Sequence, residues 1–258
     1  MILKRENGSQ LGKDVRVSVA QMPQPDMSSE RADLISMTLR ACELARTAVS
    51  AAADALATRS DAPFRTVNDC EKELDRLDRE VDDRVTVAVT RVSPDVAREL
   101  LACMKFMLDL ERIGDLVSSF VGCARAVSQR INMEDVNDLL KMSALLEKML
   151  RDAHQALSSR DLESAISILR ADSEIDRLRN LILIRHVEDN PAGSSHESVH
   201  VMFMAQALER AGDHAKNLAE EVCHLVSGHS MRHVMRESDK SYEQMYLKYL
   251  REKQPART

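Results

Sequence analysis

Residues 110–115 read Leu110-Glu111-Arg112-Ile113-Gly114-Asp115, and residues 208–213 read Leu208-Glu209-Arg210-Ala211-Gly212-Asp213. Upstream of each stands a second matching pair, Glu73-Leu74-Asp75-Arg76-Leu77 and Glu174-Ile175-Asp176-Arg177-Leu178. The copies are offset by 98 residues in the first pair and 101 in the second. One short match arises by chance. Two in the same order, at nearly the same offset, indicate an internal duplication.

The flanking pattern makes each half helical. Leu34, Ile35, Met37, Leu39, Cys42, Leu44, Ala45, Ala48 and Val49 fall at spacings of three and four, the period of a helix with one buried face. The spacing predicts a first helix over 28–59, a second from about Arg65 to Arg91 and a third to about Gln129. Ser93-Pro94 supplies a cap and a first-turn proline for the third. Asn132 caps a fourth helix to Ser158, Asp161 a fifth to His186, and Ser194 with Glu197 a sixth to Gly228. The expected fold is all-α, two tandem three-helix bundles over 28–130 and 131–228. They are flanked by an arm over 1–27, with a short strand at Val15–Val19, and a tail over 229–258.

Composition supports this. The chain has 258 residues, 44% hydrophobic and 30% charged, with 7 Gly, 6 Pro and no Trp, too few turn-formers and aromatics for a sheet-rich fold. A net charge of −6 opposes general nucleic-acid binding, which needs a cationic surface. No segment approaches the about 20 apolar residues of a membrane span. The N-terminus lacks a signal-peptide core, so a cytoplasmic location is expected. The five cysteines include no CxxC pair, which suits reduced, buried thiols. The fourteen methionines read as adaptable core filler.

Chemistry concentrates in acid pairs four residues apart: Glu71 and Asp75, Glu111 and Asp115, Asp172 and Asp176, Glu209 and Asp213. On a helix each pair shares one face and repels by a few tenths of a kcal/mol. If the second and third helices of each half face each other, four carboxylates converge, and such a group needs a cation, a proton or nearby arginine. Oxygen ligation suits Mg²⁺, Mn²⁺ or iron. The second stripe continues through Asn217 to Glu221, where the first half has Ser119 and Cys123, so the second half is expected to hold the better site. The bland alternative is solvated acids paired with Arg112 and Arg210. Gly114 and Gly212, each costing about 1 kcal/mol of helix propensity, suggest close helix approach or room for an ion.

With these residues in place the chain resembles the PhoU family of phosphate-signalling proteins. The match rests on Glu-Arg-Ile-Gly-Asp at 111–115, Glu-Arg-Ala-Gly-Asp-His-Ala-Lys-Asn at 209–217, the upstream acid pairs and the Glu-Asp-Asn-Pro break at 188–191. The resemblance implies two three-helix bundles side by side and a non-enzymatic, metal-binding regulator. The ligands would be Glu71, Asp75, Glu111, Asp115, Asp172, Asp176, Glu209 and Asp213, with Asn217 and Glu221 extending the second site. The metal would be a divalent or trivalent ion: iron, zinc, manganese or magnesium. The implied partners are a phosphate-sensing histidine kinase and the ATPase of the phosphate ABC transporter, with peripheral association at membrane complexes and a homodimer.

Two other classes compete. His196-Glu197-Ser198-Val199-His200 spells the HExxH zinc-protease signature, with Glu220 as a candidate third ligand; Glu197 with His200 also reads as one half of a di-iron motif. A helical scaffold without metal is the other. Tyr242, Met245, Tyr246 and Tyr249 form an apolar stripe at helical spacing, readable as a helix packed on the bundle or as a docking segment.

Overall fold

The computed structural model describes residues 27–60, 62–127, 130–187 and 196–227. The expected arm, its short strand, the Ser194 cap and the tyrosine stripe lie outside the described residues. Six helices follow in order: α1 (Met27–Thr58), α2 (Ala62–Ala88), α3 (Pro94–Val127), α4 (Met133–Ser159), α5 (Leu162–Val187) and α6 (His196–Ser227). A single 3₁₀ turn, Val89–Arg91, follows α2, and no strand occurs among the described residues.

The caps explain the boundaries. Asn132 Oδ1 accepts from the Asp135 amide at 2.8 Å and starts α4. Asp161 Oδ1 and Oδ2 accept from the Glu163 and Ser164 amides at 3.0 and 3.3 Å and start α5. Helix α4 ends on Arg160 in the left-handed conformation, φ 56°, a position usually left to glycine. Its guanidinium then reaches Glu99 of α3 at 3.0 Å. Helix α2 starts three residues earlier than the spacing predicts, because Pro63 sits in its first turn, where a missing N–H costs nothing.

Within each half the three helices pack on one another, and the halves join along α3–α6, the most extensive helix contact, and along α1–α4. Small residues let the helices approach: Ala41, Ala45, Ala48 and Ala52 on α1, and Ala205, Ala211, Ala215 and Ala219 on α6, are all buried. Phe106, Leu110 and Phe120 of α3 and Leu139, Met142 and Leu146 of α4 belong to one continuous core. The two bundles therefore share a single interior. Met107, Met142, Met149 and Met204 are buried there, as filler. All five cysteines are free, four of them buried; burial pushes the Cys42 thiol up. No described helix is long and apolar enough to cross a membrane.

Candidate functional site

The duplicated signatures face each other within each half, α2 against α3 and α5 against α6. Glycine makes this possible. A Cβ on Gly114 would lie 2.9 Å from Leu74 Cδ1, and one on Gly212 3.3 Å from Ile175 Cδ1. Leu74 and Ile175 hold equivalent places in the two copies. Both glycines thus serve close helix approach, and leucine or isoleucine fills the gap beside them.

In the first half Asp75, Glu111 and Asp115 come together with Asp78, which the pair spacing had not singled out. Burial, and then the charge of Asp115, hold the Glu111 carboxyl above its ordinary value, with Arg112 opposing and Asp78 and Asp75 adding smaller increments. Asp78 is raised by burial and then by Asp82 and Asp75. Arg112 reaches Glu111 and Asp115 at 3.4 Å each, but its side chain is 61% exposed, so water screens most of its charge. Glu71 is half-buried one turn before Asp75.

In the second half Asp172, Asp213 and Asp176 act on one another and on Glu209 through their charges, and two cations come with them. Lys216 Nζ donates to Asp172 Oδ2 at 2.7 Å, and the two side chains are only 28% and 6% exposed. Arg179 Nη2 stands 3.6 Å from Glu209 Oε1, and Gln206 Nε2 also donates to Glu209. Burial first, then Asp213, raises the Glu209 carboxyl, with Arg179 opposing. Asp176 is raised by burial, Asp172 and Asp213, with Lys216 and Arg179 opposing. By the repeat offsets, Arg179 replaces Asp78 and Lys216 replaces Ser118.

Asn217 and Glu221 do not join this cluster. Asn217 Nδ2 donates to Asp109 Oδ1 at 2.9 Å, beside His214 Nδ1 at 2.8 Å on the same oxygen. Glu221 accepts from Lys105 Nζ at 2.9 and 3.0 Å. Both Asp109 and Lys105 belong to α3, so these contacts form a polar seam between the halves. The cause is geometric: a stripe in steps of four drifts by about 40° per step on a helix of 3.6 residues per turn. Asn217 is turned about 80° and Glu221 about 120° from Glu209. The expectation that Asn217 and Glu221 extend the second site is corrected accordingly: both pair with α3 instead.

Carboxylate oxygens are the donors a hard cation takes, and the first cluster offers them with raised proton affinity beside two exposed arginines, Arg112 and Arg79. In the second an ammonium already occupies Asp172. Among the described residues no group of three or more His, Cys, Asp or Glu is placed to hold a metal ion as the side chains stand.

The zinc-protease reading meets two obstacles. His196 and His200 do approach, Nε2 to Nε2 at 3.3 Å, and Glu197 borders a cleft of about 330 Å³ with Arg130, Asp135, Arg185 and His186. However, Glu197 is paired with Arg130 at 2.8 Å. Glu220 lies on the same continuous helix, 20 residues beyond His200, hence about 30 Å away, and cannot be a third ligand.

The pattern of pairs also missed a buried lock at this end of the molecule. Asp135, 1% exposed, accepts from Arg185 Nη1 at 2.5 Å and faces His186 Nε2 at 2.9 Å. Arg185 Nη2 also reaches Asp138 at 2.8 Å. Acids in the first turn of α4 and bases in the last turn of α5 are where helix dipoles favour them. That complementarity, legible in the caps, is the signal that finds the lock.

The "PhoU domain" family model matches residues 38–122 and 139–222. The chain is 30% identical to "Phosphate-specific transport system accessory protein PhoU homolog 1" of Thermotoga maritima, over 72% of this chain and 82% of that one. It is 27% identical to the "Phosphate-specific transport system accessory protein PhoU homolog" of Pseudomonas aeruginosa, over 80% of this chain and 88% of that one. In fold it is similar to the crystal structure of PhoU from Pseudomonas aeruginosa, with a TM-score of 0.74 and 24% identity, covering 79% of this chain and 100% of that one. The phosphate transport system regulatory protein PhoU from Streptococcus pneumoniae gives 0.72 and 20%, covering 79% of this chain and 98% of that one.

Proposed function

The chain belongs to the PhoU family, and from that premise we propose that it is a regulatory adaptor of phosphate uptake and signalling. Its docking surface responds to a cation held by the α2–α3 carboxylates. The role is non-enzymatic. Its partners are the ATPase of a phosphate ABC transporter and a phosphate-sensing histidine kinase, reached as a cytoplasmic homodimer at the membrane complex.

The observation that carries this reading is the grouping of Asp75, Asp78, Glu111 and Asp115 across two helices, with Glu111 and Asp78 held above their ordinary values by burial and mutual repulsion. A bound cation would supply the missing positive charge. The Leu74–Gly114 contact already holds α2 against α3, and relief of the repulsion would strengthen that packing. Asp109 stands within one turn of Glu111, and through His214 and Asn217 it ties α3 to α6. A shift of α3 therefore changes the surface shared by both halves. Such a device regulates only through different partner affinity for its two arrangements.

The test is affinity capture with the tagged full-length chain from phosphate-replete cells, with and without chelator. The transporter ATPase or the kinase should be captured, and chelation or a Glu111→Ala, Asp115→Ala variant should reduce capture by about tenfold, a coupling of roughly 1–3 kcal/mol. Capture of neither would overturn the adaptor role; capture indifferent to both treatments would overturn the cation dependence.

A further inference from the structure

The two copies of the acid signature have diverged in charge. In α2–α3, Asp78 adds to the repulsion on Glu111, and residue 118 is serine. In α5–α6, Arg179 stands opposite Glu209, and Lys216 donates to the buried Asp172 at 2.7 Å. We infer that Lys216 and Arg179 are resident counter-ions that take the place of a metal in the second half. The α5–α6 cluster is then partly compensated from within, by cations at the positions where α2–α3 has Asp78 and Ser118.

The argument is one of competition. A cation entering the second cluster must first displace the Lys216 ammonium from Asp172, breaking a 2.7 Å ion pair whose side chains are 28% and 6% exposed. Removing one member of such a pair is strongly unfavourable. Bringing Arg179 beside a divalent ion adds like-charge repulsion. The first cluster asks for neither step, because its arginines, Arg112 at 61% exposed and the exposed Arg79, swing into water at little cost.

This inference rests on the cation reading of the α2–α3 cluster, and its test keeps the two apart. Chelated full-length protein is titrated calorimetrically with Mn²⁺, and melting is followed in chelator. Mn²⁺ binding by the wild type should be lost in Glu111→Ala, Asp115→Ala and kept within about twofold in Glu209→Ala, Asp213→Ala. Exchanging the divergent residues, Arg179→Asp with Lys216→Ser, should create a second Mn²⁺ site. The reverse exchange, Asp78→Arg with Ser118→Lys, should abolish the first. In chelator, Lys216→Ser alone should lower the melting temperature by about 5 °C or more. Equal loss of Mn²⁺ binding from the two alanine pairs overturns the inference, as does an unchanged melting temperature for Lys216→Ser. No Mn²⁺ binding by the wild type overturns the cation reading instead, while the melting of Lys216→Ser still reads out the counter-ion role.

Discussion

At the scale of single residues, Gly114 and Gly212 carry the sharpest structural demand. Adding a methyl group at 114 sets it 2.9 Å from the buried Leu74 side chain, whereas at 212 the nearest atom is 3.3 Å away. Alanine gains about 1 kcal/mol of helix propensity at either site, against about 1–3 kcal/mol for overpacking where no room exists. Gly114→Ala should therefore lower stability by about 1 kcal/mol, while Gly212→Ala should be close to neutral, read as the difference in urea midpoint. The need for glycine was legible in the duplicated sequence, because a costly residue recurring at one place in two copies implies contact. Which of the two contacts is tighter was not, since that depends on leucine at 74 against isoleucine at 175. The same limit applies to Lys216. It was visible in the sequence, but its role depends on a partner 44 positions earlier on another helix.

At the scale of elements, the six helices were legible because their periodicity is strong and their caps are explicit. Asn132 and Asp161 act as read, through the Asp135, Glu163 and Ser164 amides. The apolar spacing starts α2 only near Arg65, while the helix begins at Ala62, since proline is at home in a first turn. Of the acids proposed as ligands, those nearest the crossing glycines converge, and those two turns further on leave the stripe by helical drift. The convergence of α2 on α3 and α5 on α6 has a pH consequence. Burial and like charges raise Glu111 and Glu209, so their folded values exceed the unfolded one. Their penalty is complete above the folded value and disappears below the unfolded value. Glu30 is shifted the other way, lowered chiefly by its hydrogen bond from Arg84. Its contribution is present above the unfolded value and is lost as pH falls through the folded one. In chelator the melting temperature should rise as pH falls through the folded values of Glu111 and Glu209 toward the ordinary glutamate value, and drop once pH falls through the folded value of Glu30. A thermal scan across pH measures this, and Mn²⁺ should flatten the rise.

At the scale of the whole molecule, the duplication suggested two bundles, and the structure joins them into one core through α3–α6 and α1–α4. Sequence periodicity shows that a helix has a buried face; it does not say which partner covers it, so the shared interior was beyond its reach. That shared interior makes a local charge event consequential. Asp109, His214 and Asn217 lie at the level of the α2–α3 cluster and span the junction, so a change in how α2 meets α3 reaches α6. Hydrogen–deuterium exchange of the full-length protein, compared in chelator and in Mn²⁺, tests this most directly. Mn²⁺ should slow exchange several-fold across residues 71–82 and 108–118, extend that protection into residues 213–218, and leave 165–176 unchanged. Identical exchange in the two conditions, or protection confined to α5 and α6, would contradict it.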